Sequence, residues 1–223
     1  MNPEGGGPLK LFSYWRSSAA YRVRIALHLK RLEFTTIPVH LVRDGGEQHA
    51  DTYRRINPQG LVPVLEHDGR VLTQSMAICE YLDECFERYP LLPADPVARA
   101  RVRSLGLQIA CEIHPLNNLR VQKYLSGQYG DAVDPVAWMQ HWMREGFTAI
   151  ERQINGSDSN KSVFYDDTPG LFECFLVPQV YNAERYGTDM SSFPAINEIV
   201  AHCRGLTAFI EAAPENQPDA EPL

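Results

Sequence analysis

Two adjacent serines, Ser17 and Ser18, directly follow Arg16 at the point where a helix is expected to begin. A serine there caps the helix, because its oxygen accepts a hydrogen bond from a backbone N–H of the first turn. The same N–H groups and the positive end of the helix dipole can hold a carboxylate or a thiolate. A hydroxyl that donates to sulfur lowers the thiol pKa from its usual value of about 8.5. The segment therefore predicts a cap, with an anion site as the alternative.

A second pair of motifs, Val62–Pro63 and Gln74–Ser75, has the same two interpretations. Pro63 lies at the start of a predicted strand and cannot donate to a strand ladder, so it marks an edge or a cis turn. With a cis bond, the backbone N–H and C=O of Val62 can pair with an extended peptide. Gln74 and Ser75 open a helix, where Ser75 is a candidate N-cap or a ligand for a second carboxylate.

Composition narrows the class of partner. The 223 residues carry a formal net charge of −7, which disfavours nucleic acid, yet residues 16–31 contain five Arg or Lys and no acid. A basic segment on an acidic protein suits a small anionic ligand. No apolar run approaches the roughly 18 residues of a membrane span, and the N-terminus does not have the pattern of a secretory signal.

The five cysteines are odd in number and widely spaced, without a CxxC pair. This spacing predicts neither a metal site nor a thioredoxin-type redox motif. We expect reduced, mostly buried cysteines in a cytoplasmic protein.

Strands and helices alternate in the first part of the chain. Residues 9–14 and 33–42 predict strands, and the apolar residues between 20 and 29 recur at helical spacing, with Arg24 outside the apolar face. This order implies a right-handed βαβ unit with parallel strands. "LVPVLE" and "RVLT" then flank the turn signal "HDG" and predict an antiparallel hairpin, followed by a helix over 75–86. The expected α/β domain spans 8–87.

Three prolines within residues 90–96 predict a linker, and only helices are predicted beyond it. These helices are expected over 96–125, 133–154, 170–186 and 193–213. Trp138, Trp142, Phe147 and Ile150 recur at helical spacing and predict a core stripe. A polar loop is expected at 155–162, and the proline-rich, acidic residues from 214 onward are expected to be disordered. The second domain is thus all-helical and spans 95–214.

The run "NPQGLVPVLEHDGRVLTQSMAICEYL" resembles the cytosolic glutathione transferases. "WRSSAAYRVRIAL", "DGGEQH", "IHPLNNLRV" and "LVPQVYNAER" resemble the zeta class of that family, and the likeness covers residues 9–214. The resemblance implies a thioredoxin-like N-terminal domain, an all-α C-terminal domain, glutathione as cofactor and a homodimer.

The resemblance also assigns residues. It implies a catalytic group of Ser17, Arg16 and Ser18, in which Ser17 holds the glutathione thiolate and Ser18 lines the same turn. A further hypothesis divides the tasks between the two serines, with Ser17 facing the sulfur and Ser18 tied to the turn. Glutathione-binding residues carried over from the family are Ser17, Ser18, Gln48, Val62, Pro63, Gln74, Ser75, His114 and Asn118. The carboxylates of the substrate are assigned to Arg16, Arg120 and Arg185, and no metal is implied. His114 has packing beside Pro115 as its alternative, and Arg185 has a surface ion pair.

The activity implied is the glutathione-dependent cis–trans isomerisation of maleylacetoacetate to fumarylacetoacetate, in tyrosine and phenylalanine breakdown. The alternatives are maleylpyruvate isomerisation, general conjugation of electrophiles to glutathione, and a non-catalytic adaptor. An adaptor has no need of a glutathione site, so the combined motifs argue against it.

Two departures from the family are visible. Ala19 and Ala20 stand where many zeta members have Cys-Ser, so any nucleophilic sulfur must arrive with glutathione. Gly170 and Glu173 occupy the place of a Ser/Thr-x-x-Asp capping box in the helical domain. Gly170 has no hydroxyl, so Glu173 must cap alone and we expect a loss of a few tenths of a kcal/mol.

Overall fold

A computed structural model describes residues 7–155 and 168–221 of the chain. They divide into two compact units: Met1–Leu91 with Gly205–Leu223, and Leu92–Arg204. The domain limits 8–87 and 95–214 remain a prediction, and they differ from these units in that residues 205–214 group with the first one. The loop predicted at 155–162 lies outside the described residues except for its first position.

The strands are β1 (Leu9–Ser13), β2 (Phe34–Pro38), β3 (Val64–His67) and β4 (Arg70–Thr73). The helices are α1 (Ser18–Leu29), α2 (Asp51–Arg54), α3 (Ser75–Cys85), α4 (Pro96–Leu107), α5 (Leu119–Tyr129), α6 (Pro135–Asn155), α7 (Leu171–Arg185), α8 (Pro194–Arg204) and α9 (Thr207–Ala212).

The four strands form one mixed sheet in the order β2-β1-β3-β4. β1 and β2 are parallel and joined through α1, as the βαβ pattern predicts. β3 and β4 are antiparallel, and the turn between them places Asp68 at φ 49° and Gly69 at φ 71°. Two consecutive positive φ angles are those of a type I′ turn, which suits the twist of a hairpin.

Helix α1 lies in the core of the first unit and is buried on nearly all of its sides. Ala20, Val23 and Leu27 are fully buried, as the spacing predicts. The prediction that Arg24 lies outside the buried face is wrong, because Arg24 is 0% exposed and Arg22 is only 2% exposed. Both guanidinium groups donate hydrogen bonds inside the unit, which lowers the cost of burying their charge.

Residues 213–221, which follow α9, are ordered, so the prediction of a disordered C-terminus is wrong for residues 214–221, while residues 222–223 lie outside the described residues. A single 3₁₀ turn covers Pro214–Asn216, and the Asp219 carboxylate accepts a hydrogen bond from the Trp15 N–H at 3.0 Å. Tertiary contacts of this kind order a segment whose composition alone favours disorder.

The long helix predicted over 96–125 is interrupted. α4 continues into a π-helical turn (Gln108–Ile113) and a 3₁₀ turn (His114–Asn117) before α5 begins. Pro115 has no N–H to donate, which breaks the α-helical ladder there. Asn118 then caps α5, with its Oδ1 accepting from the Arg120 N–H at 3.1 Å. The helix predicted over 193–213 is likewise two helices, α8 and α9.

Helix α6 supplies the centre of the second unit. Phe147 and Ile150 are fully buried, as predicted, together with Met139 and Met143. Glu151 follows on the same helix and caps α8, because its two oxygens accept from the N–H groups of Ala195 and Ile196 at 2.9 and 3.0 Å. Trp138 and Trp142, which belong to the predicted stripe, are only half-buried and pack edge to face.

The first turn of α7 has the incomplete cap that the sequence predicts. The Gly170 N–H donates to Glu173 Oε2 at 2.7 Å, and no side chain at position 170 returns a bond. Burial raises the pKa of the Glu173 carboxyl to about 7, although hydrogen bonds from the Gly170 and Glu173 N–H groups act in the opposite direction.

Residues 7–155 and 168–221 include no helix that is long and apolar enough for a membrane crossing. Over the same ranges, no three His, Cys, Asp or Glu side chains are grouped so that they could hold a metal ion.

Candidate functional site

The N-terminus of α1 is capped by Ser17. Its backbone is extended, at φ −71° and ψ 114°, and its Oγ accepts a hydrogen bond from the Ala20 N–H at 3.2 Å. The hypothesis that divides the tasks assigns the cap to Ser18 and the ligand to Ser17. It is wrong about the cap, because Ser17 itself is the cap residue. A hydroxyl has one proton and two lone pairs, so accepting this bond leaves the Ser17 proton free to donate.

The guanidinium of Arg16 lies over the ring of the preceding side chain. Its guanidinium carbon is 4.2 Å from the centre of the Trp15 ring, and Trp15 is 1% exposed. This cation–π contact holds the planar guanidinium in one orientation beside Ser17. The Arg16 Nε is buried and has no hydrogen-bond partner among the described residues.

The loop between β1 and α1 is held from inside the unit by Arg24. Its guanidinium donates to Ser13 Oγ at 3.1 Å and to the carbonyl oxygens of Tyr14 and Trp15 at 3.4 and 3.0 Å. Its Nε donates to the Ala212 carbonyl at 2.9 Å. Sequence reasoning missed this residue, because helical periodicity places a charged side chain in solvent unless a specific partner is known.

The Val62–Pro63 peptide bond is cis, as one of the two interpretations of Pro63 predicts. Within the described part of the chain, the Val62 N–H and C=O take part in no hydrogen bond. Two hydrogen bonds hold the preceding residue, Leu61, in place. Its carbonyl accepts from the Tyr53 hydroxyl at 2.6 Å and from the Asn57 side-chain amide at 2.8 Å. A free backbone edge on a fixed loop can pair with an extended peptide.

The turn into α3 brings Gln74 and Ser75 together, but Ser75 is not the N-cap as predicted. Gln74 is the cap residue, at φ 71°, and its Nε2 donates to Gln59 Oε1 at 2.9 Å. Ser75 is the first residue of α3 and is 6% exposed. Its Oγ accepts from the Arg22 guanidinium at 3.1 Å, so a buried cation stands at the N-terminus of this helix.

Gln48 lies on the 3₁₀ turn Glu47–His49 and is 7% exposed. Its Nε2 donates to the Leu41 carbonyl at 3.2 Å. Its Oε1 is buried and has no hydrogen-bond partner in the described ranges, which leaves an acceptor available for a ligand.

The other four predicted residues belong to the second unit. His114 and Asn118 are half-buried at the break between α4 and α5, where Asn118 is used as the α5 cap. Arg120 is exposed on the first turn of α5. Arg185 is exposed on the last turn of α7, where its guanidinium carbon lies 5.1 Å from the centre of the Tyr186 ring.

Burial separates the cysteines into two groups. Cys79, Cys174 and Cys203 are buried, Cys85 and Cys111 are exposed, and all five are free. Burial raises the pKa of Cys79 to about 12 and also raises that of Cys203. Thiols with a raised pKa are poor nucleophiles at neutral pH.

Comparison with known proteins agrees with these features. Residues 16–85 match the family described as the N-terminal domain of glutathione S-transferase. A probable maleylacetoacetate isomerase of Vibrio cholerae is 47% identical over 95% of this chain and 98% of its own.

Two solved structures are similar throughout. A maleylpyruvate isomerase, described as a bacterial zeta-class glutathione S-transferase, has a TM-score of 0.89 at 40% identity and covers 95% of this chain and 100% of its own. A maleylacetoacetate isomerase of Methylobacterium extorquens with bound malonate and glutathione has a TM-score of 0.89 at 34% identity and covers 96% and 100%. The predicted thioredoxin-like and all-helical fold is confirmed. The chain belongs to the zeta class of the glutathione transferase family.

Proposed function

We propose that this protein is a glutathione-dependent cis–trans isomerase that converts maleylacetoacetate to fumarylacetoacetate, in tyrosine and phenylalanine breakdown. The observation that carries the proposal is the start of α1, where Ser17 caps the helix and keeps a hydroxyl proton to donate. The relatives named above as isomerases of maleylacetoacetate support the choice of substrate.

The first unit offers groups that fit glutathione, an extended tripeptide with a carboxylate at each end and a thiol in the middle. Val62 presents a free backbone N–H and C=O for its peptide part, and the orphaned Gln48 Oε1 can accept one of its N–H groups. Gln74 and Ser75, with Arg22 behind them, suit the γ-glutamyl carboxylate, because the N-terminus of α3 favours an anion.

When bound, glutathione supplies a thiol whose sulfur adds to the conjugated cis double bond and leaves again after rotation about the resulting single bond. Ser17 lowers the pKa of that thiol by donating a hydrogen bond from its hydroxyl to the ionised form, and the dipole of α1 acts in the same direction. Ala19 and Ala20 provide no sulfur of their own, so the chain serves to bind and ionise the coenzyme.

Arginines are the residues proposed to bind the carboxylates of the substrate. Arg16 is held on the Trp15 ring and presents its fork-shaped guanidinium beside Ser17, which suits a carboxylate or the enolate formed on addition. Arg120 and Arg185, both exposed, are assigned to the substrate by resemblance alone. His114 and Asn118 remain proposed glutathione contacts on the same ground.

The second candidate is the isomerisation of maleylpyruvate, a shorter acid with the same chemistry. The specific observation in its favour is the similarity to the zeta-class maleylpyruvate isomerase described above. General conjugation of electrophiles is disfavoured, since Arg16 beside the proposed sulfur site suits a carboxylate better than a neutral aromatic compound.

A coupled assay that offers both acids, each with and without glutathione, distinguishes these candidates. We expect turnover of maleylacetoacetate only when glutathione is present. A higher kcat/KM for maleylpyruvate would reassign the substrate, and turnover without glutathione would refute the coenzyme.

Three variants test the serines in that assay. Ser17→Ala removes both the cap and the hydroxyl, whereas Ser17→Gly costs only a few tenths of a kcal/mol of capping energy. If the Ser17 hydroxyl acts on sulfur, both variants lose turnover at neutral pH, and the turnover of Ser18→Ala measures how much the second serine contributes. Normal turnover of Ser17→Gly would mean that Ser17 is a cap only.

We also infer a cytoplasmic homodimer. The five free cysteines support a reducing compartment, and resemblance to the family supports the dimer. Light scattering on the purified protein should give twice the 25.2 kDa chain mass.

A further inference from the structure

The C-terminal residues 213–221, which we call the strap, contact three segments of the first unit that carry proposed glutathione ligands. None of the strap residues belongs to a motif that points to function. The contacts join positions about 200 residues apart in the chain, because the Trp15–Asp219 bond spans 204 residues.

The first contact is with the loop that leads into Ser17. Asp219 Oδ2 accepts from the Trp15 N–H at 3.0 Å. The carbonyls of Tyr14 and Trp15 are bound from the other direction by Arg24, which also donates to Ala212 at the end of α9. The peptide groups just before Arg16 and Ser17 are therefore held by a carboxylate of the strap and by a buried guanidinium.

The second contact is with the segment before Gln48. Glu221 accepts from the Arg43 guanidinium at 2.8 Å, and the same oxygen lies 3.3 Å from His40 Nε2. This segment is itself closed by Glu47, whose carboxylate accepts from the His40 N–H at 2.7 Å.

The third contact is apolar. Ala220 packs against the buried cluster that includes Tyr14, Trp15, Tyr53 and Val62. The strap therefore lies against side chains next to Ser17 and beside the cis Pro63, as well as against the segment that leads to Gln48.

We propose that the strap positions the glutathione site, with Asp219 as the positioning residue for the Tyr14–Ser17 loop. This inference rests on the proposed function for its consequence, because the loop sets where the Ser17 hydroxyl meets sulfur. Asp219 acts through its hydrogen bond to the Trp15 N–H and not through contact with substrate.

Three variants isolate this role. Asp219→Ala removes the acceptor, and Asp219→Asn keeps an acceptor oxygen without the charge. Glu211→Ala is the matched control, because it removes another contact of the C-terminal segment, the 3.0 Å pair with His28. His28 lies ten residues beyond Ser18, or about 15 Å along α1 at 1.5 Å per residue.

The first readout is amide hydrogen exchange of residues 14–20, measured without glutathione. Loss of one hydrogen bond to a charged acceptor should speed exchange there about tenfold in Asp219→Ala. Asp219→Asn keeps a weaker, neutral acceptor and should accelerate exchange less than Asp219→Ala does, whereas Glu211→Ala should stay within about twofold of the wild type. Unchanged exchange in Asp219→Ala, or equal acceleration in Glu211→Ala, would overturn the proposal.

The second readout is the ultraviolet titration of the thiol of bound glutathione, together with kcat/KM for glutathione. In Asp219→Ala the titration should move to higher pH and kcat/KM should fall about tenfold, and Asp219→Asn, which keeps a neutral acceptor, should recover part of both. A variant that only lowered the melting temperature would leave the titration unmoved and refute a positioning role. If the wild type itself does not ionise glutathione, the proposed function fails, and the exchange result alone decides whether Asp219 holds the loop.

Discussion

The buried Glu173 carboxyl should make the stability of the second unit depend on pH. Glu173 is 1% exposed on the first turn of α7, and burial raises its pKa to about 7 from the ordinary 4.5. The unfolded chain therefore releases this proton near pH 4.5, whereas the folded chain keeps it until about pH 7. Between these values the unfolded state binds fewer protons, so the contribution of Glu173 to stability is present at low pH and is lost as pH rises.

The size of the effect follows from the two pKa values. Their difference corresponds to about 3 kcal/mol, since a tenfold change in proton affinity is worth about 1.4 kcal/mol. Glu173→Gln removes the ionisation and keeps an oxygen that can accept from the Gly170 N–H. We expect its free energy of unfolding, relative to the wild type, to rise by about 2.5 kcal/mol between pH 5 and pH 8, because the remainder develops below pH 5.

Urea unfolding of both proteins at several pH values between 5 and 8 measures this difference. Glu145→Gln, on the exposed side of α6, serves as the control for removing one carboxylate and should show no such trend. Parallel pH profiles of Glu173→Gln and the wild type would refute the reasoning, because they would mean that the buried carboxyl is already ionised at pH 5.

Three further predictions concern caps and a buried cation. Gly170→Ser should supply the missing half of the α7 cap, adding a few tenths of a kcal/mol and about 1 °C in melting temperature; calorimetry that shows no rise contradicts it. Glu151→Ala should cost about 2 kcal/mol in urea unfolding, because two N–H groups at the start of α8 lose a charged acceptor. Glu151→Gln should lose less, and equal losses would exclude a role for the charge. Arg22→Lys should raise KM for glutathione about tenfold with little change in kcat, because Ser75 loses its fork-shaped donor; an unchanged KM would separate Arg22 from the site.

Local sequence patterns were sufficient for most elements of the first unit. Alternation identified β1, apolar spacing identified α1, and "HDG" identified the hairpin turn, because each depends on residues close in sequence. The incomplete cap at Gly170 and Glu173 was predictable for the same reason, since the N-cap and the third residue of a helix are neighbours.

The same reasoning failed where Pro115 interrupts a helix and where a distant partner decided the outcome. Pro115 lacks an N–H and marks a break, yet one helix was predicted over 96–125, whereas the structure has π-helical and 3₁₀ turns before the Asn118 cap. The capping of α8 by Glu151 joins residues 44 and 45 positions apart, which no periodicity reveals.

The sequence by itself determined the family, the order of the strands, the helical character of the second unit, and the serine, Val62–Pro63 and glutamine motifs proposed to bind glutathione. Only the tertiary structure decided how those motifs are supported. Arg24 is buried because its guanidinium meets the Tyr14 and Trp15 carbonyls and Ala212, which is 188 residues away. Residues 213–221 are ordered because the Asp219 carboxylate accepts a hydrogen bond from the Trp15 N–H. A buried charge and an ordered polar tail both depend on partners that only the folded chain brings within hydrogen-bonding distance.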